Sequence, residues 1–171
     1  MNLEEAFKTA LEFENKVHAI YQEARQKVED PAGQRVFDVL AGEEQQHIEY
    51  LTLCLERWLR TGDLQADRLL TAIPDRTRIR QGVLGLKTKV KDRRDARPIE
   101  ITLLERALQA ELTTSAFYKR LVAELDTQGQ QFFARFLEIE EGHVAIVQAE
   151  LDAVSGLGYW FDVAEWQFTD G

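Results

Sequence analysis

The stretch GEEQQHIEYL, residues 42–51, places Glu44 and His47 three positions apart in a chain of 171 residues that has only three histidines. The stretch EIEEGHVAIV, residues 138–147, repeats this Glu-x-x-His pattern. Residues three apart lie on the same face of an α-helix. Each stretch therefore predicts a helix that presents a carboxylate and an imidazole in one direction.

Four segments of the chain carry apolar residues with the period of an amphipathic helix. Near its middle, each apolar stripe is interrupted by a glutamate: Glu14, Glu44, Glu111 and Glu140. Glu14 precedes Glu44 by 30 residues, and Glu111 precedes Glu140 by 29. The two halves of the chain therefore form a weak internal repeat.

Turn signals separate the helices of each half. Asp30 and Pro31 predict the N-cap and the first position of the second helix. Thr127 and Gln130 predict a capping box at the start of the fourth. Both turns are short, so each half is expected to be an antiparallel helical hairpin.

Residues 62–98 form a connection of 37 residues between the hairpins. A connection of this length is expected to carry short helices or to serve a function. Gly62 and Gly156 are predicted stops of the second and fourth helices. The sequence thus predicts an all-α four-helix bundle over residues 1–156 with one long crossover, followed by a tail over residues 157–171.

The four glutamates and two histidines on these stripes are expected to converge inside the bundle. Ionised carboxylates without partners would cost roughly several kcal/mol each there, whereas two divalent cations would balance four negative charges. Carboxylates with one imidazole per ion suit Fe(II) or Mn(II), and zinc would bind without redox chemistry. We therefore predict a site for two iron ions, with Mn or Zn as possible substitutes. Its ligands are the bridging Glu44 and Glu140, the terminal Glu14 and Glu111, and one histidine per ion, His47 and His143.

Three further residues lie near these positions. Tyr21 and Tyr118 each follow a terminal glutamate by seven residues. They are interpreted either as hydrogen-bond donors to these glutamates or as core aromatic residues. His18 follows Glu14 by one turn; it is interpreted as a core histidine, with a ligand or a donor role as the alternatives.

Composition excludes several classes of protein. The net charge of −9 argues against nucleic-acid or anionic-lipid partners. The single cysteine, Cys54, permits neither an internal disulfide nor a Cys-x-x-Cys metal site. No signal peptide and no apolar run long enough to cross a membrane are recognisable, so a cytoplasmic protein without membrane contact is predicted.

The crossover and the tail have a distinct composition. Between Arg60 and Pro98 lie 11 of the 21 basic residues but only 5 of the 30 acidic ones. This segment is interpreted as solvated and paired with acidic helix faces, or as a docking surface for an acidic electron donor. The tail is expected to fold back on the bundle or across a dimer interface, with a docking peptide as the alternative. Its aromatic residues are Tyr159, Trp160, Phe161, Trp166 and Phe168.

Four stretches, ENKVHAIY, LAGEEQQHIEYL, ELTTSAFY and EIEEGHVAIV, resemble the rubrerythrin-like branch of the ferritin-like superfamily. The resemblance implies a ferritin-like bundle, often a homodimer, with a di-iron site that uses the six ligands named above. It also implies reaction with hydrogen peroxide or O₂. Two features differ from rubrerythrins: the chain has no rubredoxin domain, and Thr114 stands where the family tends to have an extra glutamate. The six-ligand set is also similar to that of bacterioferritin.

These observations predict a di-iron oxidoreductase that reduces hydrogen peroxide or O₂ with electrons from a separate donor such as a rubredoxin. A ferroxidase that handles iron is the first alternative. A helical interaction protein with a structural metal is the second.

Overall fold

The computed structural model describes residues 1–64 and 69–166, and within these residues the chain is entirely helical, without strands. The predicted all-α class is therefore confirmed. The described residues form six helices: α1 (Leu3–Lys27), α2 (Pro31–Thr61), α3 (Arg76–Lys87), α4 (Pro98–Glu124), α5 (Thr127–Leu157) and α6 (Val163–Trp166).

Helix α2 begins and ends where the sequence predicts. The Asp30 carboxylate accepts a hydrogen bond from the Ala32 amide, and Pro31 occupies the first helical position. Gly62 ends the helix with a φ of 70°, in the left-handed region that favours glycine. The crossover that follows contains α3, as the length of the connection predicts.

Both predicted boundaries of α5 were wrong by one or two residues. The N-cap is Asp126, whose carboxylate accepts a hydrogen bond from the Gly129 amide, so Thr127 is already helical. The C-cap is Gly158, with a φ of 74°, rather than Gly156. The extra residues place Leu157 against the apolar core, which favours the longer helix.

The helices pack as two hairpins. Helix α1 packs on α2, α4 packs on α5, α1 also contacts α4, and α3 lies against α5. Their apolar side chains form two separate clusters. One contains Val17, Leu40, Ala107 and Ile146, and the other contains Ala10, Leu51, Phe117 and Phe136. On each long helix, the predicted ligand glutamate lies between one residue of the first cluster and one residue of the second. A polar layer therefore separates the two clusters.

The tail residues that the structure describes pack on the bundle of their own chain. Trp160 and Phe161 are buried, and the Trp160 ring meets Phe37 of α2 edge-on at 5.4 Å between centroids. On α5, the buried Glu150 carboxylate accepts hydrogen bonds from the Phe161 amide (3.0 Å) and the Trp166 indole (2.7 Å). Phe168 lies outside the described residues.

No helix within residues 1–64 and 69–166 combines the length and the apolar composition that a membrane crossing requires.

Candidate metal centre

The structure brings all six predicted ligands together in the polar layer. Helix α1 supplies one glutamate, α4 supplies another, and α2 and α5 each supply a glutamate and a histidine. All six side chains have 0% relative exposure: Glu14, Glu44, His47, Glu111, Glu140 and His143. A core of this size buries ionisable groups only when they are paired or coordinated, so the layer requires compensation of its charge.

Among the described residues, three groups have ligand atoms within 4.8 Å of one another: two overlapping groups of four, and a group of three made of Glu43, His47 and His143. Glu44 and Glu140 belong to both groups. The first group adds Glu14 and His47, and the second adds Glu111 and His143. This is the arrangement that two neighbouring ions with two shared carboxylates require. The assignment of bridging and terminal ligands stays a prediction, but its geometric conditions are met.

Both histidines direct Nδ1 into the layer. His47 Nδ1 lies 3.0 Å from Glu14 Oε2 and 3.5 Å from Glu140 Oε1. His143 Nδ1 lies 3.0 Å from Glu44 Oε1 and 3.4 Å from Glu111 Oε1. The two rings are parallel within 8°, with centroids 5.5 Å apart. Each Nδ1 is thus the nitrogen available to an ion in its own group.

The two tyrosines bind the terminal glutamates across the bundle. Tyr118 on α4 donates a hydrogen bond of 2.5 Å to Glu14 on α1, and Tyr21 on α1 donates one to Glu111 on α4. Both phenols are completely buried. These bonds hold the terminal carboxylates in place, as expected for groups that orient metal ligands.

The carboxyl groups of the layer differ in pKa. Burial opposes ionisation of Glu14 and Glu111, but the adjacent positive histidines outweigh it and lower both pKa values, that of Glu14 to about 2. Burial raises the pKa of Glu44 to about 8, and the Glu14 charge contributes to the rise. Burial and the Glu111 charge raise the pKa of Glu140 well above its usual range. These directions favour ionised terminal and protonated central glutamates in the layer.

The histidines complete this charge balance. Burial lowers the pKa of an imidazole, but here the negative charges of Glu14 and Glu111 outweigh it. The pKa values of His47 and His143 consequently lie well above the usual value. The directions favour two imidazolium groups beside two ionised carboxylates, charges that would balance.

Protein groups alone leave part of the polar layer without hydrogen bonds. Among the described residues, five ligand atoms are buried without a hydrogen-bond partner: Glu44 Oε2, His47 Nε2, Glu111 Oε2 and both carboxylate oxygens of Glu140. Buried polar atoms are normally paired. Four of these five are carboxylate oxygens of the layer, which fits a pair of divalent cations that prefer oxygen and imidazole ligands.

Glu43 is a functional candidate that the sequence analysis did not identify. Its side chain is only 4% exposed, and one oxygen lies 3.3 Å from His143 Nε2. Burial opposes its ionisation, but hydrogen bonds and the charge of His143 outweigh it and lower its pKa to about 2. The adjacent glutamates in GEEQQH were a weak signal for it.

Two other residues considered in the sequence lie at the edge of the site. His18 is half-buried and contributes to neither four-residue group. Thr114 is buried, and its hydroxyl donates to the Ala110 carbonyl at 2.9 Å. Neither residue adds a ligand to those six.

No protein-family model, curated protein or solved structure was found to match the chain.

Proposed function

We propose that the protein is a di-iron oxidoreductase of the rubrerythrin-like type, built on a ferritin-like bundle, that reduces hydrogen peroxide or O₂. The observation that carries this proposal is the sharing of Glu44 and Glu140 between two buried four-residue groups. A mononuclear structural site would need only one such group. Two hairpins separated by a single crossover agree with one of the bundle topologies of di-iron carboxylate proteins.

The donor set favours iron over a closed structural site. Each ion would have four protein residues, and three of these are carboxylates. Structural zinc sites are typically tetrahedral and rich in cysteine and histidine. A carboxylate-rich group with one imidazole instead suits an ion with positions left for small molecules. When bound, two ferrous ions supply two electrons, which with two protons convert H₂O₂ to two molecules of water.

The chain's own residues contribute positioning and exclusion of water. Tyr118 and Tyr21 hold the terminal glutamates, and the apolar clusters on both sides keep bulk solvent away. A groove of about 360 Å³ lies between α1 and α4. Its lining includes Val17 and Thr114, each three residues beyond a terminal glutamate. The six candidate ligand side chains are completely buried, and this burial favours a small substrate such as peroxide or O₂.

The decisive experiment loads the metal-free protein anaerobically with two Fe(II) per chain and mixes it, in separate stopped-flow runs, with H₂O₂ and with O₂. Faster oxidation by peroxide and repeated turnover with a reductant are expected. Fe(III) that leaves the site after reaction with O₂ would instead identify a ferroxidase. Absence of any oxidation would favour a structural metal. The electron donor, a rubredoxin or another protein, and the homodimer stay predictions.

A matched pair of variants tests the ligand assignment. Glu44→Ala is expected to lose about half of the bound metal or more, because Glu44 belongs to both groups. Glu49→Ala, on the same helix but exposed, should retain all of it. Unchanged metal content in Glu44→Ala would contradict the assignment.

A further inference from the structure

The two histidines of the metal centre have different surroundings at Nε2, the nitrogen that points away from the cluster. His143 Nε2 lies 3.3 Å from Glu43 Oε2. His47 Nε2 is buried and has no hydrogen-bond partner among the described residues. The His47 ring is instead flanked by the Phe136 ring, at 5.6 Å between centroids. A Glu43 oxygen lies within 4.8 Å of a nitrogen of each histidine, but only His143 is within hydrogen-bond distance of it.

Glu43 is itself held by the crossover. The Thr71 hydroxyl donates to Glu43 Oε2 at 2.5 Å, and the Ala72 amide donates to Oε1 at 2.8 Å. The crossover is fixed to α5 nearby, because Arg135 donates a hydrogen bond to the Leu69 carbonyl. Three donors thus converge on one carboxylate. Because a carboxylate only accepts hydrogen bonds, His143 must donate from Nε2.

The internal repeat explains why His47 has no equivalent partner. Glu43 immediately precedes the ligand Glu44, and the residue that immediately precedes Glu140 is Ile139. Ile139 is buried in the apolar cluster and cannot accept a hydrogen bond. The crossover segment that holds Glu43 also has no counterpart in the repeat, because only one crossover joins the two hairpins.

We propose that Glu43, fixed by Thr71 and Ala72, is a positioning residue that makes the two metal positions unequal. This inference rests on the proposed two-metal function. A carboxylate that accepts from a ligand histidine fixes the ring and strengthens it as a donor to the ion, and loss of such a group typically costs about 10- to 100-fold in metal affinity. The position served by His143 is therefore the tighter one and fills first.

The test measures each position by itself with Co(II) as the probe. His47→Ala leaves the group around His143, and His143→Ala leaves the group around His47. Adding Glu43→Gln to each should lower Co(II) affinity by about 10- to 100-fold in the His47→Ala protein. In the His143→Ala protein the change should stay below about threefold. Glutamine cannot accept from all three donors, because one of its two terminal groups is itself a donor.

Two controls separate positioning from a general loss of charge or fold. Glu49→Gln makes the same chemical change at an exposed site of α2 and should alter neither affinity. Thr71→Val keeps the side-chain shape, removes one of the three donors and should weaken the His143 position alone, by a smaller factor. In the unsubstituted protein, the His143 Nε2 proton should give a slowly exchanging NMR signal that Glu43→Gln abolishes.

The outcomes distinguish this inference from the proposed function. Suppose that the unsubstituted chain binds two ions. If Glu43→Gln then lowers Co(II) affinity equally in the His47→Ala and His143→Ala proteins, or does not lower it in the His47→Ala protein, the positioning role is overturned and the two-metal proposal stands. Failure of the unsubstituted chain to bind two ions would overturn both. Selective loss in the His47→Ala background, with the NMR change, supports the role of Glu43.

Discussion

Loading the metal-free protein with two divalent ions should release about four protons per chain near neutral pH, since every ligand must be deprotonated to bind. The number follows from the pKa directions within the ligand layer. The pKa of Glu44 is raised to about 8 and that of Glu140 is raised above its usual range, so we expect both carboxyl groups to carry a proton near neutral pH. The pKa values of His47 and His143 are also raised, and we expect both rings to be imidazolium groups. Each of these four residues would lose one proton.

The assay is isothermal titration calorimetry with Zn(II), repeated in two weakly chelating buffers that differ in ionisation enthalpy. The number of protons released is the difference between the two apparent binding enthalpies divided by the difference between the two buffer ionisation enthalpies. A parallel titration of unbuffered protein with a pH indicator measures it directly. Release should decline towards about three protons as the pH passes 8, because the Glu44 proton is then already lost.

Proton competition also fixes how affinity depends on pH. About four protons for two ions means that the average apparent dissociation constant should fall by about 100-fold per pH unit near neutrality. Glu49→Gln, at an exposed position, should give the same release as the unsubstituted chain. Release of no more than one proton per two ions would show that the layer is not neutralised by its own protons, and would refute this reasoning.

Three further changes test the surroundings of the site. Tyr118→Phe removes the donor to a buried ligand carboxylate and should cost about 1–3 kcal/mol of stability in urea unfolding. Burial raises the pKa of Glu150 from 4.5 to about 8, so its protonated form stabilises the fold below about pH 4.5 and this contribution is lost as the pH rises through 8. In urea unfolding from pH 5 to 9, the loss of stability should be smaller in Glu150→Gln than in the unsubstituted protein, by up to about 5 kcal/mol. Gly33→Ala brings a Cβ within 2.7 Å of the Trp160 ring and should cost about 1–3 kcal/mol by thermal unfolding, whereas Gly42→Ala, which meets nothing within 4 Å, should be tolerated.

The features that the sequence predicts best are those encoded locally. Helical period and turn residues identify the hairpins, because each stripe and each cap lies within one segment of chain. The glutamates of the candidate site are recognisable because they interrupt apolar stripes. The same pattern does not predict the burial of His18 correctly. His18 follows Glu14 by one turn but is only half-buried, whereas the neighbouring Val17 is buried in the core.

The features that the sequence misses depend on contacts between distant segments. A helical wheel places Glu43 about 100° from Glu44 and away from the ligand face. It becomes buried only because Thr71 and Ala72 of the crossover pack over it. Glu150 is buried for a similar reason, since the tail folds back onto it. The helical period of one segment does not indicate which distant segment will pack on the polar face of that helix.

The polar layer is not what holds this bundle together. Apolar clusters on both sides of it join the long helices. An apolar layer of equal volume would be about as stable or more stable, because buried ionic groups rarely offset their desolvation. Small domains depend on a structural metal when they lack a sufficient core, and this chain has two apolar clusters. Six buried ionisable side chains that stability does not require, two of them shared between both groups of four, therefore favour the proposed chemistry at a metal pair over a structural ion.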